Sequence, residues 1–253
     1  MISGPDPLDI GIGYRLALPG SRHATLRDFR VLVIDGDPLL PADHDVRGAI
    51  EKLAGSLAKA GVSVARHSPL WPDFADTSRL YMRRLMAFLG ASFPPEVIAG
   101  ARAGVAQLTA DNRSLAAERL RGMIQSHRDW LFDDGTRSRL RVQWSELFKS
   151  FDAVICPIMP TPAYPHDHSP QQESRRIRID GQDYVYPDQL AWPGVATLPG
   201  LPATAIPLGL TDQGLPVGVQ IVGPWLEDRT PLKLAELIER DFGCFVPPPM
   251  FDD

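Results

Sequence analysis

The 253-residue chain is long enough to bury one large core or two small ones. Its hydrophobic share of 44% and charged share of 23% are those of an ordinary globular protein, which excludes a disordered or fibrous class. A net charge of −5 argues against a general nucleic-acid binder, because the short run Arg175-Arg176-Ile177-Arg178 cannot supply the basic stripe that phosphates require.

Two cysteines, Cys156 and Cys244, lie too far apart for a metal-type spacing or a secretory disulfide framework. No stretch of about 18 apolar residues could span a bilayer, and Met1 to Asp9 carry no charged-then-apolar signal. The expected setting is the cytoplasm, with neither membrane nor nucleic acid as partner.

In chain order, Arg30-Val-Leu-Val-Ile-Asp35 predicts a buried strand ending at the turn Gly36-Asp37-Pro38. A helix follows, capped by Asp43 or Asp45, with Val46, Ala49, Ile50, Leu53, Leu57 and Ala60 at helical spacing and Gly61 at its end. Val62-Ser-Val-Ala65 then predicts a second strand, parallel to the first. From Asp73 to Ser150 the pattern is helical, with Asp133-Asp134-Gly135 expected to break the last two helices apart. Strands are expected again at Ala153 to Cys156, Ala203 to Ile206 and Val217 to Val222, and a closing helix from about Arg229 to Arg240. The sum is an α/β chain, a mixed sheet with helices on both faces, whose sheet takes strands from both ends of the sequence and therefore forms part of a single domain over 1–253.

Proline is the outlier. Ten of the 25 prolines lie between Pro157 and Pro207, where each removes a backbone donor and disfavours helix in the residue before it. This stretch is expected to be a long ordered loop system or the mouth of a pocket.

Three segments carry a family resemblance. Phe151-Asp-Ala-Val-Ile-Cys-Pro-Ile-Met-Pro-Thr-Pro-Ala163 resembles a stretch of the amidase-signature hydrolases. Gly200-Leu-Pro-Ala-Thr-Ala-Ile-Pro207, then Gly214-Leu-Pro-Val-Gly-Val-Gln-Ile-Val-Gly-Pro224 and a Leu/Ala-rich helix, is similar to that family's C-terminal hallmark in order and spacing. Gly4-Pro-Asp-Pro-Leu-Asp9 and the first strand and helix are similar to the part following its catalytic core.

The resemblance implies hydrolysis of a carboxamide C–N bond on a small-molecule substrate, without a cofactor or metal. It also implies a fold incomplete at its N-terminal side. The family's nucleophile, its second serine and its lysine belong to a glycine- and serine-rich segment, whereas this sequence contains no Gly-Gly and no Ser-Ser pair. A serine hydroxyl needs a nearby base and oxyanion donors to attack an amide. The four lysines, Lys52, Lys59, Lys149 and Lys233, all fall on predicted helices beside charged residues and read as solvated. No catalytic residue is assigned, and the isolated chain is expected to be inert: a remnant, one subunit of a split amidase paired with an N-terminal half, or part of a longer product.

The resemblance places this half on one side of the substrate pocket. Candidate substrate-binding residues are Met159 and Pro160, just beyond a strand end, with Tyr186, Trp192 and Thr197 ahead of the Gly200-Leu-Pro hallmark; Thr197 stands where related sequences often have asparagine. The bland alternative for Tyr186 and Trp192 is core or loop anchoring, and for Met159 and Pro160 a simple turn. Rival readings are a magnesium phosphatase using Asp35 and Asp37, and metal binding by His166 and His168; both lack completing residues. Uncovered apolar surface is expected to drive self-association, homo-oligomers included.

Overall fold

A computed structural model describes residues 17–243, 245 and 246. The opening segment from Gly4 to Asp9, and Cys244, lie outside the described residues.

Five strands form one mixed sheet: β1 (Arg30–Val33), β2 (Ser63–Ala65), β3 (Ala153–Pro157), β6 (Ala203–Leu210) and β7 (Pro216–Val222), in the order β2-β1-β3-β7-β6. β1 runs parallel to both β2 and β3, and β7 runs antiparallel to β3 and β6. Helices α1 (His44–Lys59), α2 (Phe74–Leu89), α3 (Pro95–Ala106), α4 (Leu115–Met123), α5 (His127–Ser150), α6 (Ala191–Thr197) and α7 (Arg229–Phe242) complete the fold. The β1-α1-β2 unit is the one expected from the strand, helix, strand pattern.

The central strand β3 is buried along its whole length because its side chains alternate between two cores. Val154 and Cys156 point with Leu32 and Val222 into a core closed by α2, α5 and α6, through Met82, Trp144, Leu147 and Trp192. Ala153 and Ile155 point with Val31, Val33, Val219 and Ile221 into a second core closed by α1 and α7, through Ile50, Leu57, Leu234 and Ile238. Each fully buried large aliphatic side chain contributes about 1.5–3 kcal/mol. Helices therefore cover both faces of the central strands.

Side-chain caps start four helices. Asp43, Asp73, Ser114 and Ser126 each accept a backbone N–H of the first turn. The break expected at Asp133-Asp134-Gly135 does not occur, and α5 runs unbroken to Ser150. Gly135 costs about 1 kcal/mol in a helix, and paired neighbours offset it: Asp133 takes a bidentate bond from Arg83 at 2.7 and 2.8 Å, and Asp134 accepts from Arg84 and Arg137.

The proline-rich stretch is ordered, and it contains a hairpin that the loop expectation missed. β4 (Arg176–Ile179) and β5 (Gln182–Val185) pair around Asp180-Gly181, with Ile177 and Ile179 buried in the first core. The prolines stand outside it, at Pro170 and Pro187. Arg119 of α4, 2% exposed, fixes the segment from beneath by a bidentate pair with Glu173 and a 2.6 Å bond to Asp188.

Where β3 enters the sheet, Asp152 gathers another knot. It accepts from Arg30 N at 2.9 Å, from the Arg30 guanidinium at 2.9 Å and from Arg22 at 3.3 Å, and His23 Nε2 lies 3.1 Å away. Arg22 also donates to Phe148 O of α5 and to Glu227 ahead of α7, so the knot as a whole joins the first segment, the end of α5, β3 and the approach to the closing helix.

The sheet ends in an uncovered strip. Ile206 of β6 packs towards α7, while Ala203, Ala205 and Pro207 on the opposite face are exposed beside Val222, Gln220 and Gly218 of β7.

Candidate functional site

The exit of β3, the short helix α6 and the Gly200-Leu201-Pro202 turn meet around Gln220. This side chain sits opposite Cys156 in the β3–β7 register and is 5% exposed. Its Nε2 donates to Pro157 O at 2.9 Å and to Trp192 O at 3.0 Å, tying the strand exit to α6. Burial pushes the Cys156 thiol up to about 12, outweighing its hydrogen bond with Gln220. It stays a thiol at neutral pH and offers no nucleophile.

On α6, Trp192 is fully buried, 4.5 Å from Phe74 between ring centroids, so it shapes the site from below through packing and its carbonyl. Gly194 lets the Tyr81 ring lie directly on the helix; a Cβ there would stand 2.5 Å from that ring. Thr197 is exposed at the helix end, and its hydroxyl donates to Pro193 O at 2.8 Å. Burial raises the Tyr81 phenol, and a hydrogen bond with Thr197 opposes the rise. Beyond it, Arg141 of α5 donates to Pro199 O at 2.5 Å and lies 5.1 Å over the Trp225 ring. Gly200 adopts φ +74°, a conformation that favours glycine.

The other candidates group at the opposite end of the segment. Met159 is half-buried, and Pro160 is buried with its carbonyl accepting from Asp43 N at 2.7 Å. Tyr186 is half-buried between Tyr164 and Arg175, each ring or guanidinium 6.0 Å from it. Tyr164 Oη donates to the buried Gln189 at 3.0 Å. Trp192 and Thr197 thus lie on α6 itself, Tyr186 opens the turn that leads into it, and Met159 and Pro160 follow β3. Gln220, Tyr81, Arg141 and Trp225 went unassigned from sequence. Only Gln220 carried a signal, as a polar residue amid apolar neighbours in a strand.

The rival chemistries find little support in the geometry. Asp37 Oδ1 accepts from Leu39 N at 2.8 Å and shapes the turn after β1. His166 and His168 are exposed, with their rings stacked 5.8 Å apart. Among the described residues, Asp43, His44 and Asp45 bring potential ligand atoms within 4.8 Å of one another, but Asp43 is engaged in capping α1 and His44 is ringed by carboxylates. All four lysines lie on helices. Lys149 and Lys233 pair with Glu146 and Glu236, and Lys52 and Lys59 are exposed. No helix among the described residues is long and apolar enough to cross a membrane.

The family model for amidases matches residues 14–232. The chain belongs to the amidase family. A glutamyl-tRNA(Gln) amidotransferase subunit of Xanthobacter autotrophicus is 30% identical over 158 residues, 61% of this chain and 27% of the relative. The corresponding amidotransferase subunit from Thermotoga maritima superposes on 92% of this chain and 48% of its own, with a TM-score of 0.65 at 16% identity. A bacterial aryl acylamidase of the amidase signature family superposes on 88% and 45%, with a TM-score of 0.61 at 17% identity. The chain spans about half the length of these solved amidase folds and a smaller share of the curated relative.

Proposed function

We propose that this chain forms the pocket-side, C-terminal half of an amide-hydrolysing enzyme. A nucleophile-bearing segment, carried by the same longer polypeptide or by a partner chain, completes it. The 253 residues alone are inert in this reading. The observation that carries it is the state of the bases: no lysine among the described residues is buried beside a hydroxyl, and the Cys156 thiol is held protonated. An amide carbonyl needs both an activated hydroxyl and oxyanion donors. The exposed face of β6, with Ala203, Ala205 and Pro207, is the surface the missing segment covers.

The relatives' names, aryl acylamidase and glutamyl-tRNA(Gln) amidotransferase, support a carboxamide as the substrate class. Thr197, Arg141 and Trp225 border the acyl or amine group on one side of α6, with Met159, Pro160 and Tyr186 on the other. Trp192 holds the helix between them.

The test is an assay of the purified chain against glutamine, benzamide and an acetanilide. No turnover is expected, while co-expression with the coding sequence upstream of Met1 restores it. Turnover by the chain alone, lost when one of its own side chains is replaced, overturns the reading. Because β6 is uncovered, concentration-dependent association in size exclusion is expected of the isolated chain.

A further inference from the structure

The tip of the β4–β5 hairpin and the first turn of α1 hold each other through exchanged caps. Asp43 Oδ1 accepts from Asp45 N at 3.0 Å, and Asp43 Oδ2 accepts from Asp180 N at 3.2 Å. In return, Asp180 Oδ1 accepts from His44 N at 2.9 Å, and its Oδ2 accepts from Arg47 at 2.7 Å. The His44 ring, 72% exposed, lies across this exchange from the solvent side. Its Nδ1 lies 2.9 Å from Asp180 and 3.2 Å from Asp43, and its Nε2 lies 3.5 Å from Asp45.

Behind the junction is a hollow of about 440 Å³, bounded by the hairpin, α1 and the segment 161–167, with Tyr164 and Ile177 in its wall. The hairpin continues through the turn Tyr186–Leu190 directly into α6, so its position bears on both groups of candidate residues.

We infer that this junction is a pH-sensitive latch: protonated His44, bridging Asp43, Asp45 and Asp180, closes the β4–β5 hairpin over the hollow, and loss of that proton loosens the hairpin tip. The groups facing His44 are Asp43, Asp45 and Arg47 from α1 and Asp180 from the hairpin, and Arg176, Arg178, His166 and Asp167 line the hollow behind it. Three carboxylates against one imidazole favour its charged form. The hydrogen bond to Asp180, followed by the charges of Asp43 and Asp45, raises His44 above the ordinary 6.5. The backbone N–H of His44, followed by its ring and Arg47, lowers Asp180 below 3.8.

The sign follows from these two directions. A raised histidine contributes fully below its unfolded value and loses its contribution as pH rises through its folded one. The lowered carboxylate contributes above its unfolded value and fails on acidification. The latch is therefore closed between the two midpoints and loosens on the alkaline side, where Arg47 is the remaining charged partner of Asp180 beside the two backbone bonds. This device is independent of whether the chain hydrolyses amides.

The decisive measurement is amide hydrogen exchange with NMR titration of the labelled full chain between pH 5 and 9. The two amides that cross the junction, Asp180 N and His44 N, are expected to lose protection by about twofold to fivefold at the midpoint of the His44 imidazole, the range an exposed ion pair supports. In His44→Gln the step is absent and protection stays at the open level. In Arg47→Gln the step remains. In Asp180→Asn the His44 midpoint moves down. A wild-type profile flat through the His44 midpoint, or an unchanged step in His44→Gln, overturns the latch.

Discussion

Asp152 and Asp180 are built from the same parts and sit in different solvents. Each carboxylate accepts one backbone N–H, binds at least one arginine and has an imidazole about 3 Å away. Asp152 is 1% exposed at the root of β3, whereas Asp180 is 36% exposed at a hairpin tip. A buried carboxylate stripped of its partners keeps an uncompensated charge, while an exposed one is rehydrated. The same chemistry thus acts as a fixed staple in one place and a reversible latch in the other, and burial decides which.

The largest expected effect comes from the buried member. Asp152→Ala leaves the buried Arg30 N–H without its acceptor and removes the carboxylate that Arg30 and Arg22 share, though Arg22 keeps Glu227 and Arg30 keeps Lys149 O, and should cost about 3 kcal/mol in urea unfolding. A loss below about 1 kcal/mol would mean that burial is not what separates the two sites. The pH dependence provides a second check. Burial alone would raise Asp152, but the hydrogen bonds and charge of Arg30, aided by His23, hold it below 3.8. Its contribution is present above that ordinary value and lost as pH falls through the depressed one. Asp152→Asn should therefore flatten the acid limb of the stability profile below about pH 4.

Asp43 lies between the extremes, because it is half-buried and serves both α1 and the hairpin. Asp43→Ala should cost about 1 kcal/mol, the usual loss for a helix cap, and should release the hairpin tip as well. Thermal unfolding reads the first effect and exchange at Asp180 N reads the second. If Asp43→Ser restored the stability and left the tip open, the two functions of this carboxylate would be separated.

The contrast between buried and exposed pairing also marks what could be read from the sequence. The sheet was legible because apolar periodicity reports burial directly: Val31 to Val33, Ala153 to Cys156 and Val217 to Val222 all became strands. The helix α1 and its Asp43 cap were legible for the same local reason. Pairings across 50 or more residues were not. Arg83 with Asp133 carries α5 through the expected break at Gly135, and Arg119 orders the proline-rich segment. The β4–β5 hairpin did leave a local signal, since Arg-Ile-Arg-Ile before Asp180-Gly181 alternates as a strand should and Asp-Gly favours a tight turn. Proline density on either side concealed it. At the candidate site, the hallmark segment located the Gly200 turn, but the short helix α6 fell in the stretch expected as loop, and Arg141 and Trp225 meet there only through tertiary packing.

The smallest expected effect is the most discriminating. Asp180→Asn keeps the side chain's shape and its capacity to accept from His44 N, and it removes only charge at a site open to water. Global stability should change by no more than about 0.2–1 kcal/mol, against the roughly threefold larger loss at Asp152. The His44 midpoint should nonetheless fall, because the largest source of its elevation is gone. A large loss of stability would make Asp180 a staple like Asp152 and leave no room for reversible opening. A small loss with a shifted imidazole marks a solvent-exposed ion pair, and loss of protection at Asp180 N through the His44 midpoint is what makes that pair a latch.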